Sequence, residues 1–264
     1  MSFEFLYITN DPKEAKFIED KGVDFIFVDM EHIGKSERQP GDSVKNHHTI
    51  GDVKEIKKLS DPKNLLARIN PYGSHSREEV EAVIKAGATH IMVPMISSIE
   101  SIVEINSYIN NRVFLVPLIE TVFSLQNLED IINNVMPNFI FFGLNDLHRE
   151  LKLNFMFEIL AMNLLDYPAY VCKKNDIKFG FGGISKFDHG VLNSKLILNE
   201  HIRLGSSYVI LSRDFIKTVK KTEICHELNL IRSYTNKTQS QGMLLKSSFD
   251  LKFKIGEILQ GYFK

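Results

Sequence analysis

Cysteine is scarce. Cys172 and Cys225 are the only two in 264 residues, and neither has a CxxC partner or a zinc-ligand spacing. That excludes a disulfide framework and a cysteine-held zinc, and leaves two reduced thiols of the kind a cytosolic protein carries. An excess of one charge is missing too: 32 Lys and Arg stand against 33 Asp and Glu, a formal net charge of −1. No global field therefore draws the chain to nucleic acid or to an anionic membrane. No apolar stretch approaches the roughly 18 residues of a membrane span, and the first residues lack the basic and apolar regions of a secretory leader. The expectation is a cytoplasmic protein that acts on a small molecule, with neither nucleic acid nor membrane as partner.

What is present is 44% hydrophobic residues, enough over this length for one large core and a single domain spanning residues 1–264. Short apolar runs recur at Phe3 to Ile8, Phe25 to Val28, Leu65 to Ile69, His90 to Val93, Phe114 to Ile119, Phe139 to Phe142, Lys178 to Phe181 and Tyr208 to Leu211. Between them lie segments of helical spacing. Ser76 to Ala86 sets Val80, Val83 and Ile84 on one face, Ser124 to Ile132 does the same with Leu125, Leu128 and Ile131, and each opens on a serine suited to an N-cap. About eight such alternations predict an α/β fold, a (β/α)8 TIM barrel of parallel strands wrapped by helices. Two segments fall outside the repeat. Gly34 to His48, with Pro40 and Gly41, reads as a long polar loop on the functional rim, and the tail at 243–264 reads as a C-terminal helical extension. The tail carries Leu244, Leu245, Phe249, Leu251, Phe253 and Ile255, more apolar surface than a solvated helix needs, so it should dock on the barrel or on another subunit.

Barrel enzymes keep their reacting groups at the C-terminal ends of the strands. Those ends here carry Asp29, Glu31 and His32 after the second run, Arg68 in the third, Glu120 after the fifth and Asp146 after the sixth. Two carboxylates from neighbouring strands suit a hard divalent cation, Mg²⁺ or Mn²⁺, that keeps positions open for water and substrate oxygens. The plainer alternative is a pair of strand-end acids that cap helices or meet a lysine. Val93-Pro94-Met95 offers shape and no ionisable group. Gly182 and Gly183, in Gly180-Phe-Gly182-Gly183, close the seventh run as a candidate anion site or as an ordinary turn. Asp29 reads as structural, Glu31 as undecided, and His47, His48, His75 and His90 as surface or loop residues without ligand spacing.

Five segments, Val28-Asp-Met-Glu31-His32, Arg68 before a helix, Ile91-Met-Val-Pro94-Met95, Ile119-Glu120-Thr121 and Gly143-Leu-Asn-Asp146-Leu147, occur in order. They resemble the successive motifs of the metal-dependent pyruvate aldolase and citrate lyase β-subunit family, within the phosphoenolpyruvate/pyruvate-binding barrel superfamily. The resemblance implies that Glu120 and Asp146 hold the metal, which binds a 2-oxo acid through its keto and carboxylate oxygens. It further implies that Arg68 contacts the keto oxygen, that His32 transfers the proton, and that Gly143, Asn145 and Pro94 shape the substrate site. A homo-oligomer is implied as well, since a terminal helix in this family often packs across a subunit boundary.

Three positions depart from the family's pattern. Lys85 lies where an acid on the third helix would orient the histidine, Leu118 replaces a glutamine, and Leu144 follows Gly143 in place of proline. The leading expectation is a metal-dependent carbon–carbon lyase of the aldolase type, acting on a 2-oxo acid and an aldehyde through a pyruvate-like enolate. A Schiff-base aldolase is disfavoured because no lysine ends the sixth run. Two other readings stay open: a citryl-CoA or malyl-CoA type lyase, and a non-catalytic barrel that binds a metal or a 2-oxo acid for regulation.

Overall fold

The computed structural model describes residues 3–38, 48–237 and 239–262. Its eight strands are β1 (Glu4–Ile8), β2 (Phe25–Asp29), β3 (Leu65–Arg68), β4 (His90–Val93), β5 (Phe114–Ile119), β6 (Phe139–Phe142), β7 (Lys178–Ile184) and β8 (Tyr208–Leu211). They pair in chain order, all parallel, and β8 returns to β1 to close the barrel. The predicted TIM barrel is present, with its strands placed within a few residues of the apolar runs.

Two layers of core follow from the alternation of side chains along each strand. The inward set, including Phe25, Phe27, Leu66, Met92, Leu118 and Phe141, fills the barrel itself. The outward set packs beneath the surrounding helices. At the N-terminal ends of the strands Phe139 stacks on Tyr208 (ring centroids 4.2 Å), and Phe25 meets both edge-on. This aromatic plug closes the bottom, so an open cavity can form only at the opposite rim.

The plug also corrects one reading. His90 is neither surface nor loop: it opens β4, lies 5.1 Å from the Phe25 ring and is buried. Burial pushes its imidazole pKa down to about 4, so it is neutral at pH 7 and behaves as a core aromatic. His48 accepts a hydrogen bond from the Asp29 backbone N–H at 3.1 Å, which ties it to the rim; His47, Pro40 and Gly41 lie outside the described residues.

Helix starts differ from the serine reading for local reasons. Ser76 sits buried at the first helical position and accepts from the Gly73 N–H (2.9 Å), while His75 precedes the helix without a side-chain cap bond. The other segment divides into Val122–Gln126 and Leu128–Val135. Its cap is Thr121, whose hydroxyl accepts from the Ser124 N–H at 3.0 Å and donates to the Ile96 carbonyl at 2.7 Å. Gly182 and Gly183 do not end β7 in a turn. They lie inside it, at an irregularity in its pairing with β8, with Gly182 in the left-handed region at φ 59°.

The tail is helical over Gln241–Tyr262 and packs on the helices Ser194–Leu204 and Glu158–Ala161. Leu251 and Ile255 are buried there, and Asn199 donates to the Ser247 hydroxyl at 2.8 Å. Met243, Leu245, Phe249 and Phe253 remain exposed on the other side. No described helix is long and apolar enough to cross a membrane.

Candidate active site

A cavity of about 1040 Å³ opens at the C-terminal ends of the strands, and Asp29, Arg68, Glu120, Gly143, Asn145 and Asp146 all line it. Glu120 follows β5 directly, and Asp146 lies in the first turn of the helix Leu144–Glu150 that follows β6. Strands β5 and β6 are neighbours in register, with Ile119 opposite Phe142 and the Gly143 N–H donating to the Ile119 carbonyl at 2.9 Å. The two acids therefore leave adjacent strand ends, as the sequence pattern anticipated.

Gly143 is required by close approach. A Cβ there would come within 2.7 Å of the Glu120 Cβ and 2.8 Å of its Oε2. On its other side Glu120 Oε1 accepts the Met95 N–H at 3.1 Å. Met95, just past Pro94 at the end of β4, holds a left-handed backbone (φ 49°), which turns its N–H onto Glu120. Burial pushes the Glu120 carboxyl well above the usual carboxylate range; Glu31 and Asp146 push the same way, and Arg68 pulls against them. Crowded negative charge out of water is the situation a divalent cation relieves.

Arg68 is fixed by the acids of β2. Its Nε and Nη2 donate to the two Asp29 oxygens, each at 2.8 Å, and Nη1 lies 3.3 Å from Glu31 Oε2. A second cation shares Asp29: Lys35 Nζ is 2.9 Å from Oδ2, buried, and on the cavity wall. Arg38 closes the cluster on Glu31, which is wholly buried. Asp29 and Glu31 thus brace the cations. Burial alone would raise the Asp29 carboxyl, but Arg68 and then Lys35 outweigh it and hold it well below the usual carboxylate range.

A depressed carboxylate stabilises the fold fully above its unfolded pKa, and that contribution fades as pH falls through the lower folded value. Asp29→Asn should therefore cost about 3 kcal/mol at pH 7, the usual result of stranding a buried partner. The difference from the parent should narrow below about pH 4 in urea unfolding curves. An equal difference at pH 7 and pH 3 would count against the ion-pair account.

His32 is exposed, and neither it nor Pro94 is among the described residues that line the cavity. Its ring is nonetheless oriented. Nδ1 lies 3.1 Å from the Met30 carbonyl, which can only accept, so Nδ1 carries the proton and Nε2 is the basic nitrogen. Its backbone is held by Asn70, whose Oδ1 accepts from the N–H groups of His32 and Ile33 at 3.0 Å each. Asn70 is held in turn by Glu79 of the helix Ser76–Ala86, with Nδ2 to Oε1 at 2.7 Å. An acid on the third helix does brace this segment, through Asn70, whereas Lys85 is exposed near that helix's end.

Sequence reasoning missed Lys35, Asn70 and Glu79. The signal for Lys35 was its spacing, four residues past Glu31 and six past Asp29; for Glu79 it was an acid in the first turn of the helix that follows Arg68. Gly182 and Gly183 do line the cavity. A Cβ on Gly182 would look toward Leu144 and Phe157, at 3.2 and 3.7 Å, and one on Gly183 toward Ser212 at 3.4 Å.

A closed parallel barrel with ionisable groups gathered at its C-terminal strand ends defines the class of the barrel enzymes that work at that rim. The family model described as HpcH/HpaI aldolase/citrate lyase matches residues 5–159, more than half of the chain, and the chain belongs to that family. The matched region contains both Glu120 and Asp146. Family membership supports an enzyme of lyase type.

Solved structures of similar fold include an HpcH/HpaI aldolase from Desulfitobacterium hafniense DCB-2, 15% identical, with a TM-score of 0.61 over 80% of this chain and 86% of that one. An HpcH/HpaI aldolase/citrate lyase family protein from Burkholderia cenocepacia J2315 is 14% identical, with a TM-score of 0.64 over 88% and 95% of the two chains. The citrate synthase SbnG is 15% identical, with a TM-score of 0.61 over 89% and 95%. At such identities the likeness concerns the fold. No curated protein matches the sequence significantly.

Proposed function

We propose that the chain is a metal-dependent carbon–carbon lyase of the aldolase type, making and breaking the bond next to a pyruvate-like enolate of a 2-oxo acid. The observation that carries this reading is the buried Glu120, crowded by Asp146 and Glu31 and faced by the charge of Arg68, on the wall of one cavity. Glu120 and Asp146 would hold Mg²⁺ or Mn²⁺. Among the described residues no third His, Cys, Asp or Glu joins them in a ligand cluster, so water and substrate oxygens would complete the shell. When bound, the cation supplies Lewis-acid polarisation of the keto group.

The remaining work falls to side chains. Arg68, immobilised on Asp29, directs its guanidinium charge at the keto oxygen as negative charge develops there. Its partners leave it no need to reorganise during the reaction. His32, outside the cavity lining, would take or return the proton at Nε2 through a water molecule. Gly143 leaves room for the Glu120 side chain beside the substrate, Asn145 offers an amide on the cavity wall, and Pro94 with Met95 fixes the backbone that grips Glu120. Gly182 and Gly183, on the cavity wall, are the candidate anion site.

The enzyme would act in the cytoplasm, as a single barrel with the helical extension at 243–264. Its decisive test is exchange of the pyruvate methyl protons in deuterated water. Exchange that needs both the protein and a divalent cation is expected; its absence at saturating pyruvate would favour a barrel that binds without catalysis, the reading that Leu118 and Lys85 motivate.

Assembly belongs to the same proposal. Leu245, Phe249 and Phe253 recur at four-residue intervals on the exposed side of the terminal helix, 58%, 62% and 72% exposed. A closed homo-oligomer would cover them. A chain truncated before Met243 should scatter light as a smaller species than the full chain; a well-folded truncation of unchanged mass would show that the helix does not hold subunits together.

A further inference from the structure

Resting on the aldolase reading, we infer that the aldehyde half of the substrate carries an extended apolar chain. The cavity, at about 1040 Å³, is far larger than a three-carbon keto acid and a two-carbon aldehyde fill; volumes near ~1,000 Å³ ordinarily enclose much bigger ligands. Its lining also varies in chemistry. Asp29, Lys35, Arg68, Glu120 and Asp146 come from the ends of β2, β3, β5 and β6, which is where the keto acid would sit. The segments after β6, β7 and β8 add Leu144, Phe155, Met156, Phe157, Val191 and Ile216 to the lining, interspersed with Ser185, His189, Ser212 and Asp214.

Three details make that wall a surface for a chain. At Gly182 a Cβ would meet Leu144 at 3.2 Å and Phe157 at 3.7 Å, so these two side chains pack against bare backbone and make the wall apolar there. Leu118, on the same strand face as Glu120, puts an apolar group on the cavity wall. Val191 is 73% and Ile216 is 38% exposed, apolar side chains at the mouth that a short aldehyde would leave in water. Arg149 and Arg213 share this part of the lining but are exposed, which places them where a chain would emerge into solvent.

In the forward direction, C3 of pyruvate gives up a proton to the base and its electron pair forms the bond to the aldehyde carbon. The carbonyl π pair becomes the hydroxyl oxygen's and takes up that proton, so the product is a 4-hydroxy-2-oxo acid bearing the chain. No oxidant or further reactant is needed. Cleavage of such acids made from two-, four-, six- and eight-carbon unbranched aldehydes, read as pyruvate released, tests the inference alongside pyruvate proton exchange.

Each fully buried methylene is worth about a fourfold gain. The expected result is a kcat/KM at least about tenfold higher for the six-carbon than for the two-carbon chain, allowing for partial burial. Val191→Asp and Ile216→Asp alter exposed positions that tolerate polarity, and together they should bring that ratio toward one. A flat or falling profile with proton exchange intact would overturn the apolar chain and leave the aldolase reading standing. An unchanged ratio in the doubly substituted protein would overturn the assignment of the wall, and the absence of exchange would overturn both readings.

Discussion

Glu120→Gln and Asp146→Asn should each weaken binding of Mg²⁺ or Mn²⁺ by at least about 100-fold in calorimetric titrations, the upper end of what is lost when only a ligand's supporting partner is removed. Turnover should fall by roughly three orders of magnitude, because cation polarisation supplies several kcal/mol of transition-state stabilisation. The two substitutions differ in what they do to the protein without metal. Glu120 is buried and its carboxyl is raised far above the usual range, so the ionised form opposes folding at neutral pH. Glutamine removes that opposition and can still accept from the Met95 N–H. The Glu120→Gln protein should therefore be as stable as the parent in the absence of metal, or more so, while losing the cation. Unchanged cation affinity in both variants would refute the site, and a destabilised Glu120→Gln protein would mean that the carboxylate has a structural partner instead.

How far this site could be read from sequence depends on where each residue lies relative to an apolar run. Glu120 and Asp146 end such runs, and a buried parallel strand has one direction of exit, so the acids announce both their rim and their adjacency. Arg68 was legible for the same reason. His90 was not, because a histidine opening an apolar run has the composition of a loop edge; only closure of the barrel shows that the first residues of β2, β4, β6 and β8 point at one another. The serine caps failed by one turn of context. A Thr two residues past the end of a strand outcompetes a Ser three residues further on, and Ser124 then becomes the other half of the capping box.

The bracing groups were the least legible. Lys35 lies in a segment that read as polar loop without periodicity, whereas it opens a short helix, Lys35–Arg38; Asn70 and Glu79 connect to His32 through a backbone N–H. Gly182 and Gly183 looked like a turn because two adjacent glycines usually make one; here they accommodate an irregular pairing of β7 with β8. The pattern thus specified which groups reach the cavity better than it specified what holds them still.

Arg68→Lys should lower turnover by about 100-fold, in line with the loss of one preorganised donor to a developing oxyanion, while cation affinity stays within about threefold of the parent, an interval that leaves ligand loss (10-fold or more) easily distinguished. The separation follows from geometry. Asp29 receives Arg68 through two parallel hydrogen bonds of 2.8 Å, a fork that sets the guanidinium plane and leaves Nη1 facing Glu31. A lysine keeps one charge but can satisfy only one of those bonds at a time, and its shorter, mobile ammonium has no fixed plane. The charge near Glu120 is therefore largely kept, which preserves the cation, while the aim at the keto oxygen is lost, which slows the chemistry. Lys35→Met gives the control within the same cluster: it removes a cation from Asp29 without touching the fork, so its effect on turnover should be several-fold smaller than that of Arg68→Lys. Equal turnover in the Arg68→Lys enzyme would remove Arg68 from the mechanism, and equal losses in the two variants would show that net charge, and not the placement of the guanidinium, is what the site uses.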